Sequence, residues 1–84
     1  MAKIYLVKRI DNGGIYGEDI LIAYRSQQDA SKTAKRLLET DYLLTKKEKI
    51  GLIKEIVSPN KKEIRYISVN FMTEYVVSET DFED

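Results

Sequence analysis

The sequence predicts an α+β domain: one amphipathic helix packed on a mostly antiparallel sheet of four or five strands, in the order β-β-α-β-β-(β). Three observations carry that expectation. Residues 3–10 alternate with a period of two, residues 30–42 carry apolar side chains at helical spacing, and residues 50–79 return to strand-like composition.

In the first strand, residues 3–10, Ile4, Leu6 and Ile10 share one face and Tyr5, Val7 and Arg9 the other, with Lys8 interrupting the first face near its end. The loop Asp11-Asn12-Gly13-Gly14-Ile15-Tyr16-Gly17 has glycines that take positive φ cheaply, and residues 18–25 read as a second strand folded back on the first. That strand is apolar on both faces, the pattern of a central strand or of one whose second face meets a partner.

Ser26 is placed to cap a helix, with Asp29 three residues on as the acid of a capping-box-like pair. Ala30, Ala34, Leu37, Leu38 and Tyr42 form its apolar stripe, while Lys32, Lys35, Arg36 and Glu39 fall toward solvent. The two alanines predict a close approach to the sheet. Lys46, Lys47 and Lys49 belong to a polar connection, residues 50–57 to a third strand, and Ser58-Pro59-Asn60-Lys61 to a turn. A fourth strand is expected from Lys62 to about Phe71, a break near 70–74, and a fifth strand over 75–79. The expected domain is therefore 1–79, followed by an acidic tail over 80–84.

Eighty-four residues give one domain with one core and no separate catalytic lobe. The chain has no cysteine and no histidine, which removes disulfides, thiol nucleophiles, the commonest metal ligands and every Ser-His or Cys-His arrangement. We expect no enzyme and no cofactor. The N-terminus enters a strand pattern at once and the longest apolar run is Ile20 to Tyr24, so a soluble, cytoplasmic protein without a membrane span is expected. A chain this short gains from self-association, and a homodimer remains open.

Several features invite a functional reading. The glycine loop leads into a strand and lacks the Lys-Ser/Thr of a phosphate loop, so a plain hairpin connection is preferred. Tyr16, displayed at its tip, suits a contact anchor or a side chain packed over the sheet edge. Asp11, Glu18 and Asp19 flank the loop without matching a calcium-binding spacing, and read as solvated charge. From Lys32 to Arg65 there are ten bases against five acids, which raises nucleic-acid binding, whereas the net charge of zero argues against general affinity for phosphate. Beyond Phe71 the charges are all acidic, Glu74, Glu79, Asp81, Glu83 and Asp84, with Phe82 as an aromatic among them.

The run Lys3-Ile4-Tyr5-Leu6-Val7, then Ile20 to Ser26, a helix opening Gln27-Gln28-Asp29-Ala30, and Leu52 to Ile56 before a closing hairpin resembles small uncharacterised phage and bacterial proteins of this element order. In size and style the chain also looks like the compact inhibitors of host defence carried by phages and mobile elements, anti-CRISPR proteins included. The resemblance implies a host protein or ribonucleoprotein complex as partner and assigns no role to any residue. The expected function is a non-enzymatic binding module, an inhibitor or modulator of a host complex such as a CRISPR system. Its partner contacts would be drawn from Tyr16, Lys35, Arg36, Lys46, Lys47, Lys49, Glu79, Asp81 and Phe82. The alternative is a nucleic-acid binder using the bases of the helix and of residues 46–62.

Overall fold

A computed structural model describes residues 2–14, 17–69 and 71–82. Strand β1 (Ala2–Asp11) ends in a 3-10 turn, Asn12–Gly14; β2 (Glu18–Tyr24), helix α1 (Gln27–Lys46), β3 (Ile53–Val57), β4 (Glu63–Ser68) and β5 (Phe71–Phe82) follow. The five strands form one sheet in the order β2-β1-β5-β4-β3, with every neighbouring pair antiparallel. The α+β class and the one-helix, five-strand plan are as the sequence predicts.

Cross-strand partners in a pleated sheet share a face. The pairs Val7↔Val77, Ile64↔Val77 and Tyr66↔Tyr75 therefore lie on one side, and these are the residues that α1 covers with Ala30, Ala34 and Leu38. Ala30 and Ala34 are fully buried, which brings the helix backbone close to the sheet. Ser26 caps α1: the Asp29 amide donates to Ser26 Oγ at 3.3 Å. At the other end the chain turns on Lys47, whose φ of 57° is left-handed and whose amide donates to the Leu43 carbonyl at 2.8 Å.

A single helix about 10 Å wide covers roughly the middle three of five strands spaced about 4.8 Å apart. β2 and β3 extend beyond it. This corrects the central-strand reading of β2: its apolar residues lie on an edge, and none from Glu18 to Ala23 is buried.

The opposite face of the sheet has no second layer among the described residues, yet it is not an open apolar surface. Val76 is flanked across the sheet by Lys8 and Arg65 and is buried under their aliphatic stems. Lys8 pairs with Glu18 at 3.6 Å, and Arg65 reaches Glu63 and Glu74 at 3.3 and 3.5 Å. Charge closes this face over its centre.

Three boundaries differ from expectation. β3 starts at Ile53 because residues 50–52 are coil, with Ile50 turned in against the core. The break between the last two strands falls after Ser68, which faces Phe71 across a two-residue connection, so β4 ends three residues early and β5 begins four early. β5 also continues through Phe82, with Thr80, Asp81 and Phe82 opposite Ile4, Lys3 and Ala2, so the first part of the expected tail is sheet.

Candidate protein-docking end

Strand direction sorts the loops to two ends of a molecule 42 Å long. One end gathers the turn after β1, the last turn of α1, residues 47–52 and the β4–β5 connection. Two contacts fix this gathering. Tyr42 of α1 meets Phe71 of β5 edge-to-face with ring centroids 5.5 Å apart, and Ile53 pairs with Ser68, which places Leu52 beside Val69.

Beneath this end lies a polar network that ties three elements together. Arg9 of β1 reaches Asp41 of α1 at 3.3 Å and Asp11 at 3.2 Å; Thr73 of β5 donates to Asp11 at 2.5 Å; and the Tyr75 hydroxyl donates to Asp41. Burial, together with the Asp41 carboxylate, pushes the Tyr75 phenol well above its ordinary range, so it stays protonated as a donor. The Thr73 hydroxyl and Arg9 hold the Asp11 carboxyl below the usual carboxylate range. Each member is engaged by another, and the network anchors the C-terminal half of α1.

Above it the surface is apolar and basic. Leu43 and Leu44 on the last turns of α1 and Leu52 in the connection after it are between 54% and 75% exposed; Val69 and Met72 are exposed too, Met72 on the face of the sheet opposite α1, with Glu74 and Val76. Lys46 is the last helical residue, Lys47 the cap and Lys49 follows; all three are exposed and none forms an ion pair with a described residue. A cavity of about 250 Å³, open to solvent, lies among Glu39, Leu43, Glu48, Lys49 and Ile50. Glu48, on its wall, accepts a hydrogen bond from the Tyr42 hydroxyl at 3.0 Å.

The expected contact residues are thus divided. Lys46, Lys47 and Lys49 come together at this end, and Tyr16 lies outside the described residues. Lys35 and Arg36 are exposed in the middle of α1. Glu79, Asp81 and Phe82 belong to the opposite end of β5, roughly 26 to 36 Å from Phe71 at 3.3 Å per residue. Glu79 accepts from Lys3 at 3.1 Å and Tyr5 at 3.3 Å, and those donors, Lys3 first, hold its carboxyl below the usual range. It is committed to the sheet. Asp81 is exposed opposite Lys3, and the side chain of Phe82 lies outside the description. The acids once considered around the glycine loop do not converge: Asp11 is held by Arg9 and Thr73, Glu18 by Lys8, and no described group of three acids could hold a metal ion.

Sequence reasoning missed the five apolar residues. Leu43 and Leu44 carried a signal, since they fall off the Ala30-Ala34-Leu38-Tyr42 stripe and so face away from the sheet. No described helix is long and apolar enough to cross a membrane. Comparison with protein-family models, with curated proteins and with solved structures finds no match.

Proposed function

We propose that the protein is a non-enzymatic binding module that docks an acidic patch of another protein on its lysine-bearing apolar end. The observation that carries this reading is that Leu43, Leu44 and Leu52, all more than half exposed, share the end of α1 and the connection after it with Lys46, Lys47 and Lys49, which form no ion pair with a described residue. Large exposed apolar residues beside bases suit an interaction site. The lysines would steer an acidic partner and the leucines supply the desolvated centre. The fuller reading, a phage-type inhibitor of a host-defence complex, rests on the resemblance in size and element order.

Affinity capture from bacterial lysate with the wild type and with Leu44→Glu tests the docking surface. A partner retained by the wild type and by Asp81→Ala, but lost with Leu44→Glu, is the expected result; equal capture by all three removes this end from the reading. A plasmid-interference assay in cells carrying a CRISPR system tests the fuller reading, which unchanged interference would eliminate.

A second reading is favoured by the exposure of Lys35, Arg36, Lys46, Lys47 and Lys49 along α1 and its C-terminal end. Nucleic-acid binding through these bases predicts a gel shift that weakens steeply with salt. Absence of a shift at low salt rejects it.

A further inference from the structure

We propose that the free edge of β2 pairs with β2 of a second copy of this chain, antiparallel about a twofold axis, joining two five-stranded sheets into one. The sheet has two edges, and they differ in how they are protected. β3 carries Lys54 and Glu55 in its middle, the charged interior that discourages pairing. β2 has neither lysine nor proline, and its Ile20, Leu21 and Ile22 are 63%, 46% and 42% exposed. Its outward backbone groups form an unprotected template.

The charges along β2 suit a second copy of the same strand. Glu18 and Asp19 open it and Arg25 follows its last residue, so an antiparallel copy brings acids to base at both ends with Ile20 to Ala23 between them. Asp19 and Arg25 are exposed, and neither forms an ion pair with a described residue.

The bulge in β2 and the charges at its two ends together select the register. Val7 faces Ile22 whereas Lys8 faces Ile20, so Leu21 is an extra residue and the faces change parity across it. Partnership with β1 then assigns Glu18, Ile20 and Ala23 to the charged face of the sheet, and Asp19, Ile22 and Tyr24 to the helix face; Arg25, one past Tyr24, continues the alternation onto the charged face. A twofold axis normal to the sheet preserves faces, so paired residues must belong to the same one. Pairing Glu18 with Arg25, Asp19 with Tyr24 and Ile20 with Ala23 satisfies this. Shifting by one, to Glu18 with Tyr24 and Asp19 with Ala23, sets opposite faces against each other. Shifting by two, to Glu18 with Ala23 and Asp19 with Ile22, keeps the faces but sets no acid opposite Arg25, so the charges decide between the two. Bulges commonly deter indiscriminate edge pairing; this one still admits a copy of itself.

Sedimentation equilibrium of the full chain tests the proposal. The wild type is expected to move from 9.8 kDa toward twice that mass as concentration rises into the millimolar range. Arg25→Glu sets like charges opposite Glu18 at two symmetric contacts and should raise the dimer dissociation constant about tenfold. The double exchange Glu18→Arg with Arg25→Glu should restore it, with circular dichroism confirming that each variant is folded. A wild type that stays monomeric overturns the proposal, as does a dimer indifferent to Arg25→Glu. A double exchange that remains monomeric while folded overturns the register.

Discussion

The Tyr75 hydroxyl donates its hydrogen bond to Oδ2 of Asp41, joining the middle strand of the sheet to the C-terminal half of α1. Tyr75 is 1% exposed, so this contact is made out of water, where a lost partner is costly. Tyr75→Phe keeps the packing and should destabilise the fold by about 1–2 kcal/mol in urea titration. The same variant has a pH signature. The folded state holds the phenol protonated above its ordinary value of 10.0, so this stabilisation is complete below that pH and is lost as pH rises beyond it. Tyr75→Phe should therefore flatten the alkaline limb of stability against pH; a limb as steep as that of the wild type would contradict the assignment.

Asp11 acts in the opposite direction. Its folded pKa lies below the ordinary 3.8, chiefly through the Thr73 hydroxyl, so the stability it contributes is present above about pH 4 and disappears as pH falls through the lowered value. Thr73→Val removes the donor in nearly the same volume and should reduce the acid-induced loss of stability, while Thr73→Ser should preserve it. Chemical denaturation at pH 3, 5 and 7 separates the two variants.

The close seating of α1 depends on Ala30 and Ala34, both with no exposed surface. Ala34→Leu would drive three further carbons into packed strand residues and should cost about 1–3 kcal/mol, read as a lower thermal midpoint. Full wild-type stability would show that the helix can lift without penalty.

Lys47 sits in the left-handed region at the end of α1, a conformation costing about 1 kcal/mol for a residue with a Cβ. Lys47→Gly should raise the thermal midpoint by about 4–8 °C. It also deletes one of the three lysines of the docking end, so capture of an acidic partner should weaken in the variant that is more stable. Improved stability with unchanged capture would exclude Lys47 from the contact.

The helix was legible in the sequence because its signals are local: Ser26 at its start and Ala30, Ala34, Leu38 and Tyr42 on one side all act within a turn or two. Strand order was not, since it depends on partners far apart in the chain. β2 looks internal by composition but lies at an edge, where one helix is too narrow to cover it. The β4–β5 break, expected near 70–74, was placed too late because residues 62–79 contain neither Gly nor Pro to mark the turn after Ser68. The docking end was half visible. Its lysines lie within four residues of one another, but Leu52 reaches the end of α1 only once Ile53 pairs with Ser68 and Tyr42 packs on Phe71.

The central position of β5 has a consequence for synthesis. β1 leaves the ribosome first among these strands, and its long neighbour last, with partners as distant as Ala2 and Phe82. Until residues 71–82 emerge, the β1–β2 hairpin and the β3–β4 pair are separate pieces with no strand to bridge them, and α1 has no complete floor. Closing so long a span makes folding a late event of high contact order. A nascent chain stalled before Phe71 should remain sensitive to protease, and one extended past Phe82 should become resistant in a single step.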